Sequence, residues 1–351
     1  MTLRLLAPAL FQQTAVRRRL VRDTAEGSGV RRLWRTGQKR GYAMRPKIAI
    51  GLLAVAAAIV AALMTMLTLH GSLVHAADAT YQLVENWAQL PPGTKWSQAI
   101  SVDMDSHGTI YVFHRDDAMP IRAFDGNGRF LRSWGEGMFT VPHFLRTDPH
   151  DNIWATDRGA HQIFKFSAEG KLLMTLGQNG LNGDNESKDA LNGPADVVIA
   201  PDGSIFIADG QSSNTRIVKY SKDGKFVKYW GGKGTEPGKF DVPHSIAMDS
   251  TGRLYVADRR NNRIQLFDQD GTYLDQWTHF GTPEGLFITR DDMLYVVDGR
   301  NALRIASTRD GKIVDRLEGL SEPTAVAVDT QGAVYITESL WGATVKKFVK
   351  K

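Results

Sequence analysis

The feature that most constrains the fold of this chain is a phrase of thirteen residues that occurs six times. It is clearest as IAMDSTGRLYVAD, in which two apolar strands flank an Asp-x-x-Gly turn. The copies lie at 102–114, 145–157, 197–209, 246–258, 286–298 and 326–338, and their turns are 43, 52, 49, 40 and 40 residues apart. A four-stranded sheet of roughly this length is the repeat unit of a β-propeller. The sequence therefore predicts an all-β, six-bladed propeller.

A second element of the repeat is a fourth strand that ends in a large apolar residue. Its copies lie at 130–134, 226–230 and 273–277, with weaker ones at 172–176 and 313–317. The sixth repeat lacks this strand because the chain ends at Lys351, but a matching segment, LVENW, lies at 83–87. Pairing that segment with the last repeat would remove two exposed sheet edges. We therefore predict a ring over residues 77–351, closed by an N-terminal strand.

The charge of the chain is concentrated ahead of the repeats. Residues 1–47 hold twelve Arg or Lys against two acidic residues, and residues 48–76 hold no Asp, Glu, Lys or Arg. Residues 77–351 hold 31 basic and 36 acidic residues. A mildly acidic propeller lacks the sustained basic face that nucleic acids require. We expect no nucleic-acid partner.

Residues 44–76 have the pattern of an export signal. A short basic start at Met44 is followed by the apolar stretch 48–69 and by small residues that end at Ala76. The apolar stretch is long enough to span a bilayer, so a membrane anchor is the alternative to a cleaved signal peptide. Either way, the propeller is expected outside the cytoplasm. Residues 1–43 are predicted to be a disordered basic leader, with a start assigned upstream of Met44 or a transit peptide as alternatives.

One repeat position on the innermost strand differs from blade to blade. Its residues are Ile100, His143, Ala195, His244, Glu284 and Thr324. Innermost strands line the channel of a propeller, so these side chains should converge on its axis. Imidazoles and carboxylates bind divalent transition metals, and the chain has no cysteine that could bind one instead. We predict a metal site, with zinc preferred, on His143, His244 and Glu284. The alternative is that the histidines only fill the channel wall.

A second ring of side chains follows the second strand of each repeat. It places Arg115, Arg158 and Arg259 at one position in repeats one, two and four. Guanidinium groups hold carboxylates through paired hydrogen bonds. We therefore predict that these arginines bind a small anionic or peptide ligand in the channel. In the alternative, each arginine pairs with a neighbouring aspartate.

The segment NRIQLFD at 262–268 resembles the NHL repeat, and a larger part of the chain resembles the peptidyl-α-hydroxyglycine α-amidating lyases. The segments that carry this second resemblance are 113–115, 141–145, 154–166, 208–217, 240–246 and 256–265. That family cleaves the C–N bond of a C-terminal α-hydroxyglycine and releases a peptide amide and glyoxylate. The resemblance implies a six-bladed propeller with a three-histidine zinc site, a catalytic tyrosine, substrate-binding arginines and a structural calcium.

Four residues match the family's functional positions. His143 and His244 fall on two zinc ligands, and Arg115 and Arg259 fall on arginines that hold the substrate. Three other positions differ: Thr324 replaces the third histidine, Gln211 the tyrosine and Ala325 an aspartate that helps to bind calcium. These replacements predict a ligand contact from Gln211 and a metal set completed by Glu284, and they argue against a structural calcium.

These observations predict an exported, monomeric propeller whose function is open between two classes. The first is a metal-dependent C–N lyase or hydrolase that acts on a small anionic or peptide ligand. The alternative is a non-catalytic module that binds a peptide, a glycan or a protein partner. A lactonase-type hydrolase is a third interpretation, because propellers of one fold support many activities.

Overall fold

A computed structural model describes residues 80–339 and 345–351 of the chain. Within these residues, 24 strands form six four-stranded antiparallel sheets. The first strand of each sheet contacts the first strands of the two neighbouring sheets, so the sheets stand as blades around one axis. The predicted six-bladed β-propeller is confirmed.

In five blades the strands run in chain order from the innermost to the outermost, and in blade six the outermost strand is the N-terminal one. Blades one and two contain β2 (Ala99–Met104), β3 (Ile110–His114), β4 (Ile121–Phe124) and β5 (Phe130–Trp134), then β6 (Pro142–Thr147), β7 (Ile153–Asp157), β8 (Gln162–Phe166) and β9 (Leu172–Leu176). Blades three and four contain β10 (Pro194–Ile199), β11 (Ile205–Asp209), β12 (Arg216–Tyr220) and β13 (Phe226–Gly231), then β14 (Pro243–Met248), β15 (Leu254–Asp258), β16 (Arg263–Phe267) and β17 (Tyr273–Trp277). Blades five and six contain β18 (Pro283–Ile288), β19 (Met293–Asp298), β20 (Ala302–Ser307) and β21 (Ile313–Glu318), then β22 (Pro323–Val328), β23 (Val334–Glu338), β24 (Val345–Lys350) and β1 (Tyr81–Val84). A 3-10 helix, Arg259–Asn261, follows β15.

The core lies between the blades. Second strands such as β7 and β15 are buried along their whole length, whereas the outer strand β21 alternates between half-buried and exposed residues. Six clusters of buried apolar side chains each combine residues from two adjacent blades. The apolar faces of each blade are therefore covered by its neighbours, which explains why the second strands are almost continuously hydrophobic.

The ring is closed by the N-terminal strand, as predicted. β1 pairs antiparallel with β24, with Tyr81 opposite Lys350 and Val84 opposite Lys347. The strand is Tyr81–Val84, so the predicted position at 83–87 was too late by two residues at its start and by three at its end. Asn86 has a left-handed backbone (φ 54°), which ends the strand and directs Trp87 between blades six and one. There the Trp87 ring packs 5.0 Å from the ring of Tyr335.

The predicted leader at 1–43 and the predicted signal or anchor at 44–76 lie outside the described residues. Within 80–339 and 345–351, no helix has the length and hydrophobicity needed to cross a bilayer.

Candidate functional site

All seven predicted site residues line one cavity of about 390 Å³, which we call the upper cavity. They are Arg115, His143, Arg158, Gln211, His244, Arg259 and Glu284. The antiparallel pairing of the first two strands of a blade explains this convergence. Pro142 pairs with Asp157 and Pro243 with Asp258, so the start of each innermost strand and the end of each second strand reach the same mouth of the channel.

The two histidines are held by the same hydrogen bond. His143 Nδ1 lies 2.9 Å from the carbonyl oxygen of Ala195, and His244 Nδ1 lies 2.6 Å from that of Glu284. In each case the carbonyl belongs to the next blade. Because a carbonyl only accepts, each Nδ1 donates its proton and each Nε2 keeps its lone pair.

Both imidazoles are buried and uncharged at neutral pH. Burial lowers the pKa of His143 well below its ordinary value. Burial also lowers the pKa of His244, although the carboxylate of Glu284 opposes that shift. The ring centroids are 4.9 Å apart. The site therefore offers two adjacent neutral imidazoles.

Gln211 and Thr324 lie at positions where this chain differs from the family, and both line the upper cavity. Gln211 Nε2 lies 2.8 Å from His143 Nε2, so the amide donates to the lone pair of that imidazole. In blade six, Thr324 Oγ1 donates to the carbonyl oxygen of Ile100 at 3.1 Å. Thr324 thus makes the inter-blade bond that Nδ1 makes in the histidines, but it offers no second nitrogen to the channel.

Glu284 is engaged by an arginine. Its Oε2 lies 3.0 Å from the guanidinium of Arg259 and 3.6 Å from His244 Nδ1, the nitrogen that already donates to a carbonyl. In the part of the chain that the structure describes, no group of three or more His, Asp or Glu side chains is arranged to hold a metal ion. Metal binding by His143, His244 and Glu284 therefore stays a prediction.

The arginines do not share a common partner. Arg115 donates to the side chain of Gln98 at 2.8 Å and to the carbonyl of Pro142 at 3.3 Å, both uncharged. The guanidinium of Arg158 makes no hydrogen bond within the described residues, and its Nε is buried. Burial and the nearby charge of Arg158 lower the pKa of Arg115. Two guanidinium groups thus lie close together without a carboxylate.

The alternative in which these arginines pair with the aspartates that end the second strands is wrong. Three of those four carboxylates are bound by arginines of the third strands: Asp209 by Arg216 at 2.9 Å, Asp258 by Arg263 at 2.8 Å and Asp298 by Arg304 at 2.8 Å. The fourth, Asp157, accepts the backbone N–H groups of Thr140 and Val141. Among the described residues, Arg115 and Arg158 therefore have no aspartate partner at the upper cavity.

Sequence reasoning missed three polar or aromatic residues of this cavity, Gln98, Phe144 and Glu322. Glu322 precedes the proline of the repeated X-Pro phrase, and comparison of that position between repeats could have found it. Gln98 lies before β2, outside the repeated phrase, and joins Arg115 to the carbonyl of Ser339. Its role could not be found from the repeats.

The chain is similar in sequence to several known proteins. The NHL repeat profile matches residues 240–267. Human NHL repeat-containing protein 3 is 32% identical over 296 residues, which cover 77% of this chain and 84% of that protein. Rat peptidylglycine alpha-amidating monooxygenase is 30% identical over 300 residues, which cover 71% of this chain and 30% of that enzyme. A probable peptidyl-alpha-hydroxyglycine alpha-amidating lyase of Caenorhabditis elegans is 28% identical and is covered over 81% of its length.

Solved structures share the architecture. A streptogramin B lyase superposes with a TM-score of 0.57 at 17% identity, over 78% of this chain and all of that one. A gluconolactonase from Xanthomonas campestris superposes with a TM-score of 0.56 at 16% identity, over 73% of this chain and 87% of that one. At such identities the likeness concerns the fold alone. On its sequence relatives, the chain belongs to the family of NHL-repeat β-propellers that includes NHL repeat-containing protein 3, and it is similar to the peptidyl-α-hydroxyglycine α-amidating lyases.

Proposed function

We propose that the upper cavity binds a small ligand through a carboxylate, such as the C-terminal end of a peptide. The observation that carries this proposal is the pair of guanidinium groups of Arg115 and Arg158, which have no carboxylate partner among the described residues. Both arginines are partly buried, and an anion that accepts paired hydrogen bonds offsets the cost of a charge that has lost part of its hydration. The two neutral imidazoles add no competing charge.

Calorimetry with benzoylglycine and its uncharged amide tests the proposal, because the two probes differ only in the carboxylate. We expect binding of the acid and no binding of the amide. Replacing Arg158→Gln keeps most of the volume and removes the charge, and should weaken binding of the acid at least about tenfold. Arg290→Gln is the matched control, because Arg290 lines the opposite mouth of the channel. Equal affinity for acid and amide, or an unchanged affinity of Arg158→Gln, would refute carboxylate recognition.

A second candidate function is cleavage of a peptidyl-α-hydroxyglycine with the help of a divalent metal. It is supported by the similarity to the amidating lyases and by the Nδ1–carbonyl hydrogen bonds, since histidines that bind metals are commonly oriented in this way. His143 and His244 would hold the ion, with Glu284 as third ligand once it leaves Arg259. A bound ion would supply Lewis acidity to an oxygen of the ligand.

In that reaction the C–N bond breaks, the hydroxyl becomes the aldehyde of glyoxylate, and its proton passes to the amide nitrogen. Gln211 is not a base, which is why cleavage is the second candidate and ligand binding the first. Zinc binding measured by calorimetry should be abolished in His244→Ala, weakened in Glu284→Gln and tightened in Thr324→His. Equal, weak affinity in all variants and no release of glyoxylate from benzoyl-α-hydroxyglycine would exclude it.

We also propose that the propeller lies outside the cytoplasm, on the basis of the export pattern at 44–76. Cell fractionation followed by N-terminal sequencing tests this, and a cleaved protein should begin at or near Ala77. Recovery of a cytoplasmic protein that retains residues 1–76 would contradict it.

A further inference from the structure

The guanidinium group of Arg146 lies among the innermost strands of four blades. Its side chain leaves β6 of blade two and donates from Nε and Nη2 to the carboxylate of Asp196 on β10, at 2.9 and 2.5 Å. Nη2 also donates to Ser245 Oγ on β14 at 3.1 Å and to the carbonyl oxygen of Leu286 on β18 at 2.9 Å. One side chain therefore joins blades two, three, four and five at the channel axis.

The groups that receive these bonds form an oxygen set of the kind that binds a hard cation. A carboxylate, a hydroxyl and a backbone carbonyl converge from three blades, and such oxygens are the ligands of calcium in proteins. Asp196 is completely buried and also accepts from Ser245 Oγ at 2.7 Å. In this chain the positive charge that the set requires is supplied by Arg146.

The charge of Arg146 is firmly retained. Burial by itself lowers the pKa of the guanidinium, but the carboxylate of Asp196 and its hydrogen bonds more than offset this, so that the pKa lies above its ordinary value. The flat side of the guanidinium lies 5.1 Å from the ring of Phe144, which lines the upper cavity. On its other side Arg146 lines a cavity of about 650 Å³ at the opposite mouth, which we call the lower cavity.

We propose that Arg146 is a built-in axial cation that takes the place of a bound metal ion between the blades. The propeller is then stable without calcium, in contrast to what its resemblance to the amidating lyases implies. The residues at the axis do not fit a calcium ion while the guanidinium is present, because Asp196, Ser245 and Leu286 all face it.

Thermal unfolding of the full chain with excess EDTA and with millimolar Ca²⁺ tests the proposal. The parent protein should show the same Tm in both solutions, to within about 1 °C, because nothing at the axis binds the ion. Arg146→Ala leaves a buried, unpaired carboxylate and should lower Tm by about 10 °C. Added Ca²⁺ should then restore part of the loss, since the oxygen set is free to bind it.

The double variant Arg146→Ala/Asp196→Asn is the matched control, because it removes the only carboxylate of the set. It should show no response to Ca²⁺. A parent protein that loses stability in EDTA and recovers it with Ca²⁺ would overturn the proposal, and this arm does not depend on whether Arg146→Ala folds. A folded Arg146→Ala that Ca²⁺ does not stabilise, or an equal response in the double variant, would overturn it as well.

Discussion

The two mouths of the channel are built from repeat positions that behave in opposite ways. At the upper mouth the six residues of the ring position differ: Ile100, His143, Ala195, His244, Glu284 and Thr324. At the lower mouth the turn after the innermost strand carries the same residue in four blades: Asp105, Asp148, Asp249 and Asp329. The comparison separates residues that hold each blade together from residues that the ring brings together.

The four turn aspartates make the same contacts. Each carboxylate accepts the backbone N–H groups two and four residues later, and a Tyr O–H or Trp N–H six residues later. Blades three and five have Ala200 and Thr289 at this position. Because the same local contacts recur in four blades, each of these aspartates stabilises the turn of its own blade, and turn structure explains why the four carboxylates are there.

The largest effect that we expect is on stability, from a substitution at the lower mouth. Asp249→Ala removes hydrogen bonds from the backbone N–H groups of Thr251 and Arg253 and from the Tyr255 hydroxyl, all of which are accepted by a buried carboxylate. Urea unfolding should show a loss of about 3 kcal/mol in the free energy of unfolding, with unchanged affinity for benzoylglycine. A loss below about 1 kcal/mol, or a weaker affinity, would break the comparison between the mouths.

A smaller effect is expected where the repeat is broken at the upper mouth. His114 ends β3 where the other blades have Asp or Glu, and both of its ring nitrogens are buried without a partner within the described residues. His114→Phe keeps the stacking on Trp96, at 4.8 Å, and removes two unsatisfied groups. The free energy of unfolding should rise by about 1 kcal/mol.

The stability gained by His114→Phe should depend on pH. Burial, with a smaller contribution from Arg122, lowers the pKa of His114 well below its ordinary value. Because protonation of His114 is unfavourable in the folded state, the parent protein keeps its full stability above about pH 6.5 and loses stability as the pH falls below that value. The advantage of His114→Phe over the parent should grow between about pH 7 and pH 5. His107→Phe, at an exposed histidine, is the control, and an equal pH response of both variants would contradict the assignment.

The smallest effect is expected for bonds between turns at the lower mouth. Ser250 donates from its backbone N–H and its hydroxyl to Asp292 of the next blade at 2.9 and 2.5 Å, and both groups are exposed. Ser250→Ala should change the free energy of unfolding by less than about 0.5 kcal/mol, because water replaces the lost bond. A loss as large as that of Asp249→Ala would show that the blades depend on contacts between turns.

Much of the fold could be predicted because its information is local. Strand alternation, the Asp-x-x-Gly turns and the repeat spacing each depend on neighbouring residues, and together they indicated six blades and a closing N-terminal strand. The exact position of β1 could not be predicted, because Trp87 looks like the end of a strand in sequence. Its burial between two blades, after the left-handed Asn86, is a tertiary contact.

The membership of the upper cavity was also predictable, since equivalent positions of a repeat must reach the same depth of the ring. Which side chains of the cavity pair with each other could not be predicted. Whether Arg259 faces Glu284, or Arg158 stays unpaired, depends on side chains from different blades that share no sequence pattern.

The sequence by itself determined the number of blades, their order, the closure of the ring and the repeat positions that line the upper mouth. Only the tertiary structure decided which charges are neutralised and by what. Arg146 is the clearest case, because it looks like an ordinary strand residue in the sequence. Its partners lie 50, 99 and 140 residues further along the chain. Hydrogen bonds over such separations exist only once the ring has closed, and no local periodicity can encode them.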